Sequence, residues 1–190
     1  FAASSNCVLY SGGIPVFADI NEKTFNIDVD DIAKKITNKT KAIIPVDYTG
    51  QAVDIDGIKE LVKDRDIVII EDGAHSLGTR YKGTRVGGLV DMTMFSFHPV
   101  KTITTGEGGI ITTNNEEYYT KLMNFRSHCI TRDINQHVNK DFGGWYYEQL
   151  DLGYNYRMTD FQAALGISQM KKIDWFIKRR KEIVEKYNEA

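Results

Sequence analysis

The chain has two cysteines in 190 residues, Cys7 and Cys129, and they stand far apart. That excludes a disulfide-stapled scaffold and a site built on closely spaced thiolate ligands, and the pair reads as ordinary reduced thiols of a cytosolic protein. No block of like charge occurs. The 24 basic and 26 acidic residues leave a net charge of −2, mixed along the chain. A nucleic-acid binder needs a basic stripe, so that class of partner is set aside. No apolar run approaches the roughly 20 residues that cross a bilayer, and no signal-peptide pattern opens the chain. There is no internal repeat and no low-complexity tract. The first residue is Phe1 rather than Met, and Ala190 falls inside a charged amphipathic stretch with no Gly or Pro stop. Both ends are therefore expected to be cuts in a longer protein.

What is present alternates. Pro15–Ile20 is a short apolar run, followed by Val29, Ile32, Ala33 and Ile36 at helical spacing behind a cap at Asp28. Ala42–Val46 is the next strand candidate, weakened by Pro45, and Ile55, Ile58, Leu61 and Val62 mark another short helix. Ile67–Ile70 is an uninterrupted β-branched run, the pattern of a strand buried on both faces. Repeated βα units predict an α/β protein with a largely parallel sheet covered by helices. Glycines crowd Gly73–Gly109, where Met92–Ser96 is the one strand candidate. Ile110–Thr113 reads as a strand leading to a helix near 116–125. Ser127–Leu150 has no period and reads as a long loop, and helices are predicted around Asp160–Met170 and from about Asp174 onward.

The chemistry gathers where strands should end. Asp72 follows Ile67–Ile70, at the carboxyl edge where open α/β sheets bind ligands, and a carboxylate there can pair with a protonated ring nitrogen. The same position also suits a turn residue or a helix cap. His75, three residues on, can pack against a ring or bond its hydroxyl, or simply be a satisfied polar residue. Ser96-Phe97-His98-Pro99-Val100-Lys101 follows the second strand, so a hydroxyl and an amine there could reach a phosphate and an aldehyde. A loop lysine is otherwise a solvated charge. This one is followed by Thr104-Thr105-Gly106-Glu107-Gly108-Gly109, a tight turn that matches neither a P-loop nor a dinucleotide fingerprint.

Three segments together carry a resemblance: Glu71-Asp72-Gly73-Ala74-His75-Ser76, the Ser96–Lys101 stretch with its Thr-Thr-Gly-Glu-Gly-Gly tail, and Gly153-Tyr154-Asn155-Tyr156-Arg157-Met158-Thr159-Asp160. In order and spacing they resemble the DegT/StrS-type nucleotide-sugar aminotransferases across essentially the whole chain. Pro45–Gly50 and the Phe-His-Pro-Val-Lys form are most similar to the branch that aminates a UDP-linked 4-keto-6-deoxy sugar on the way to pseudaminic acid. The resemblance implies the large domain of a fold-type I pyridoxal-phosphate transferase, an aspartate-aminotransferase-like three-layer α/β/α sandwich incomplete at both ends. Residues 1–173 would be the cofactor-binding large domain lacking its N-terminal part. Residues 174–190 would start a helix linking to a C-terminal small domain.

By that resemblance Lys101 would hold pyridoxal 5′-phosphate and shuttle the proton, and Asp72 would pair with the pyridine nitrogen. His75 would contact the ring or its phenolic oxygen, Ser96 the phosphate, and Phe1 would stack on the ring. Asn155 would reach the phosphate of the neighbouring subunit, making a cytoplasmic homodimer with shared active sites. The implied reaction moves an amino group from an amino acid, with glutamate the expected donor, to a keto sugar nucleotide; no metal, nucleic acid or membrane takes part. Rival readings are a deoxysugar dehydratase on the same scaffold, which would carry histidine in place of Lys101, and a cofactor-binding regulator without turnover. A plain sugar-nucleotide-binding module would not need Asp72, Ser96 and Lys101 together.

Overall fold

The computed structural model describes all residues, Phe1–Ala190. In chain order the elements are α1 (Ala2–Tyr10), α2 (Val29–Lys35), β1 (Ala42–Ile43), α3 (Ile55–Val62), β2 (Val68–Asp72), β3 (Arg80–Tyr81), β4 (Thr84–Arg85), β5 (Met92–Ser96) and β6 (Gly109–Thr112). After these come α4 (Glu116–Arg126), β7 (Ile130–Thr131), β8 (Glu148–Gln149), α5 (Asp160–Met170) and α6 (Ile173–Glu189). The main sheet runs β1-β2-β5-β6, with the first three strands parallel and β6 antiparallel on β5.

Local chemistry explains the helices that build this layer. Asp28 caps α2 by accepting from Asp31 N at 2.9 Å. Acidic residues fill that helix's first turn and Lys34 and Lys35 its last, matching the helix dipole. Asp54 caps α3 in the same way, accepting from Gly57 N. Both helices then turn isoleucines onto the sheet, where Ile32, Ile55 and Ile58 pack with Ile43 and Ile69. Burying each such side chain contributes about 2–3 kcal/mol. A second cluster, Val86, Phe95, Phe97, Ile103 and Ile173, anchors the segment after β5 and the start of α6. At α5, Thr159 and Gln162 bond each other's backbone in a capping box.

Some expectations are corrected. Pro15–Ile20 forms no strand, contributing one bridge, Ile20 to Ile27. The strand expected over Ala42–Val46 ends at Ile43, because Pro45 has no N–H to donate. Pro45 O still accepts from Asp72 N at 2.8 Å, and Val46 bridges Asp72, so the chain stays beside β2. The glycine-rich stretch contains a second strand pair, the β3–β4 hairpin. Its turn, Lys82-Gly83, takes positive φ at both residues without the Asn-Gly or Asp-Gly signature that would have revealed it. Helix α1 was not anticipated, since it buries none of its residues and so shows no apolar stripe. The Ser127–Leu150 excursion is mostly irregular but is closed by the short β7–β8 pair.

The chain exposes 13266 Å², against about 9,200 Å² for a compact monomer of this mass. Large apolar side chains carry much of the excess, among them Phe161 at 90% and Ile14 at 87% exposure. No helix is long and apolar enough to cross a membrane.

Candidate active site

Asp72 is the last residue of β2 and is 6% exposed. Its Oδ2 accepts from Ser4 Oγ at 2.8 Å and its Oδ1 from Ala74 N at 3.1 Å. None of the chain's ion pairs involves it. A nearly buried carboxylate with hydrogen bonds but no cation is poised for a positively charged ligand group. Gly73 lets the chain leave the strand at this point: a Cβ there would come within 2.9 Å of the Phe95 ring and of Ser76 Oγ.

The neighbouring strand delivers the next groups. Asp72 pairs in register with Met94, so Ser96 lies two residues further along the same carboxyl edge. Ser96 is half-buried, and its Oγ accepts from His98 N at 3.3 Å. Lys101 sits in the turn that follows, with its N donating to His98 O at 3.0 Å. The turn is pinned from below. Thr105 N and Thr104 Oγ1 both donate to Phe97 O at 3.0 Å, and Ile103 is sealed in the second core cluster. From α6, Arg180 donates to the carbonyls of Lys101 and Thr102. The lysine backbone is thus held on both sides while its side chain is only partly buried.

The remaining candidates fall in three places. His75 is exposed in the turn after β2, beside the Tyr48–Gly50 turn, whose Gly50 leaves room for the His75 carbonyl. Phe1 is 99% exposed, and its carbonyl accepts from Ser4 N at 3.1 Å, one helical turn from the contact with Asp72. Asn155 belongs to a separate feature, a strand-like segment bridged to Ser127. It is exposed and flanked by Tyr154 and Tyr156, whose rings stack at 4.8 Å.

Several contributors were missed in the sequence. Ser4 lies in the unanticipated helix, and nothing local marks it. Arg180 is one of many charges on α6. Glu71 did carry a signal: residues alternate faces along a strand, which puts it on the side of buried Ile69 rather than with Asp72. It is fully buried, and Asp47 is buried with it.

The model of the DegT/DnrJ/EryC1/StrS aminotransferase family matches residues 1–190. The chain belongs to that family. Among family relatives, the UDP-4-amino-4,6-dideoxy-N-acetyl-beta-L-altrosamine transaminase of Campylobacter jejuni subsp. jejuni is 42% identical over 191 residues, covering 99% of this chain and 48% of the relative. PseC of Helicobacter pylori, an aminotransferase involved in the biosynthesis of pseudoaminic acid, superposes with a TM-score of 0.89 at 38% identity, over 100% of this chain and 48% of that one. The putative sugar aminotransferase Spr1654 of Streptococcus pneumoniae, in its PLP form, superposes with a TM-score of 0.87 at 34% identity, over 100% of this chain and 51% of that one. The fold is therefore that of the pyridoxal-phosphate-dependent sugar aminotransferases, and the chain spans about half the length of the family relatives it matches.

Proposed function

We propose that this chain is the cofactor-binding part of a pyridoxal-phosphate-dependent aminotransferase that passes an amino group from an amino acid, with glutamate as donor, to a nucleotide-linked keto-deoxy sugar. The UDP-linked 4-keto sugars are the favoured acceptors, on the likeness to the altrosamine transaminase and to PseC. The observation that carries the reading is Asp72: a nearly buried carboxylate at a strand's carboxyl end, without a cation of its own, one strand from Ser96 and Lys101. That donor set fits pyridoxal phosphate, which needs an anion for its ring nitrogen, a donor for its phosphate and an amine for its carbonyl.

When bound, pyridoxal phosphate supplies the electron sink that makes an amine-bearing carbon acidic. The protein's part is binding, orientation and proton transfer. Asp72, held in place by Ser4 and Ala74 N, would pair with the ring nitrogen. Ser96 would offer its hydroxyl to the phosphate, and His75 and Phe1 would pack against the ring. Lys101, its backbone fixed by His98 and Arg180, would supply the amine that holds the cofactor and a base for moving a proton. Asn155 reaches the phosphate bound by a second copy, so the working form is a cytoplasmic homodimer. The stacked, exposed Tyr154 and Tyr156 beside Asn155 favour that assembly. Lys101 disfavours a dehydratase, whose expected residue there is histidine.

The test is a panel assay. The full-length protein, incubated with pyridoxal phosphate and glutamate, should release 2-oxoglutarate and aminate one or more UDP- or dTDP-linked keto sugars. Cofactor binding without release of 2-oxoglutarate from any donor would favour the regulator instead.

A further inference from the structure

On the face of β2 opposite Asp72, two carboxyl groups are sealed into the sheet. Asp47 and Glu71 are both fully buried. Asp47 N donates to Asp72 O at 3.0 Å, one residue past the Val46–Asp72 bridge. Glu71 lies in register with Thr93 of β5, whose Oγ1 donates to Glu71 Oε2 at 2.8 Å. Val53 N donates to Asp47 Oδ1 at 3.0 Å. One oxygen of each group, Asp47 Oδ2 and Glu71 Oε1, is left without a donor, and the Val46–Asp72 bridge puts the two side chains on one face of neighbouring segments.

Two ionised carboxylates here would be desolvated acceptors facing each other with no cation to offset them. A single proton between them turns both orphaned oxygens into a donor and an acceptor. The surroundings favour retaining it. Asp72 is the charged group facing the pair, and its charge opposes ionisation of Asp47. Ser76 and Thr93 are neutral, and α2 and α3 cover this side of the sheet with Ile32, Ile55 and Ile58. Burial, then the Asp47 charge, pushes Glu71 up to about 7.

We propose that Asp47 and Glu71 share one proton and act as a positioning pair for Asp72, tying β2, β5 and the segment after β1 together behind it. The shared proton leaves one negative charge behind Asp72 instead of two, so little repulsion acts on its carboxylate from this side. Losing that proton would set two buried like charges against each other and loosen the backbone that holds Asp72 in place. This role rests on the assignment of Asp72 to the cofactor's ring nitrogen.

The test uses the full-length protein, with and without pyridoxal phosphate. On the acid side of neutrality, infrared difference spectra should contain the C=O stretch of a protonated buried carboxyl, lost as pH rises and absent from both Glu71→Gln and Asp47→Asn. Glu71→Ala strands Asp47 and should weaken pyridoxal phosphate binding about tenfold or more; Glu71→Gln, whose amide donates permanently, should recover most of that loss. Absence of the band from the wild type, its persistence in both amide variants, or wild-type cofactor affinity in Glu71→Ala overturns the proposal. Should Glu71→Ala not fold, pH decides: wild-type affinity falls as the shared proton leaves, and Glu71→Gln affinity does not. An equal pH dependence in the two refutes the pair's role. The band in cofactor-free protein reads the shared proton apart from Asp72's assignment, and a wild type that binds no pyridoxal phosphate overturns that assignment together with the positioning role.

Discussion

Ser4 Oγ donates to Asp72 Oδ2 at 2.8 Å, joining the first helix to the end of β2 across 68 residues of chain. The contact fixes which way the carboxylate faces, and it brings Phe1 to within one helical turn of it. Ser4→Ala should cost about 1 kcal/mol of stability, the usual net worth of such a bond. Cofactor affinity should fall about fivefold, as the carboxylate loses its orientation. Urea denaturation and an absorbance titration with pyridoxal phosphate check the two effects. Unchanged affinity would show that Ala74 N alone orients Asp72.

Asp72→Asn keeps the shape of the side chain and removes its charge. The full-length enzyme should fold normally, yet lose about a hundredfold or more in kcat, the size of effect seen when a preorganised electrostatic partner is removed. Circular dichroism and steady-state kinetics separate the outcomes. A modest loss of under about fivefold would return Asp72 to the role of a turn residue.

How much of this could be read from the chain depended on the kind of signal. The cap at Asp28 announces α2, and Ile55, Ile58, Leu61 and Val62 announce α3, because caps and apolar residues at helical spacing are local information. The strand-end placement of Asp72 and Ser96 was legible because the Ile67–Ile70 and Met92–Phe95 runs fix where their strands end. Pro45 was a legible warning, since β1 ends before it, but its carbonyl still keeps the chain paired with Asp72. Ser4, Arg180 and the Asp47–Glu71 pair were hidden for a different reason. Each acts on a partner far away in sequence, and nothing in its immediate neighbours encodes that meeting.

Two carboxyls should give opposite pH signatures. Glu71 is raised from 4.5 to about 7, so across that window the folded state holds a proton that the unfolded chain has released. Stability therefore falls as pH rises through the window. Glu71→Gln should flatten that slope in urea denaturation curves taken at several pH values. A slope equal to the wild type's would assign it to another group.

Glu148 lies on the other side. Burial pushes it up, but donors from Asn139 N, Val138 N, Tyr146 OH and the Asn139 amide outweigh this and bring it to about 2. Its contribution is complete above the ordinary value of 4.5 and is lost as pH falls toward about 2. Because these bonds close the Ser127–Leu150 excursion, acid should release that segment, followed by fluorescence of nearby Trp145. Glu148→Gln should leave the segment looser at neutral pH and remove its response to acid in that range. A wild-type signal flat down to pH 2 would deny Glu148 this role.

If Asn155 serves the neighbouring copy, a mixed dimer of full-length Lys101→Ala and Asn155→Ala subunits has one site carrying both lesions and one intact. About half the wild-type activity should survive in that species, by the two-fold symmetry of a closed dimer. If Asn155 serves its own subunit, both sites are damaged and little activity remains. Tagged subunits purified as the heterodimer give the answer directly.

The central claim, that Lys101 holds pyridoxal phosphate, is tested most directly by the visible absorbance of the full-length Lys101→Ala protein incubated with the cofactor. The account predicts that the yellow band of the wild-type complex is absent and that transfer from glutamate stops. Stability should change by under about 0.5 kcal/mol, because the side chain is only partly buried. A variant that keeps the band and turns over normally would contradict the account and return Lys101 to an ordinary loop charge.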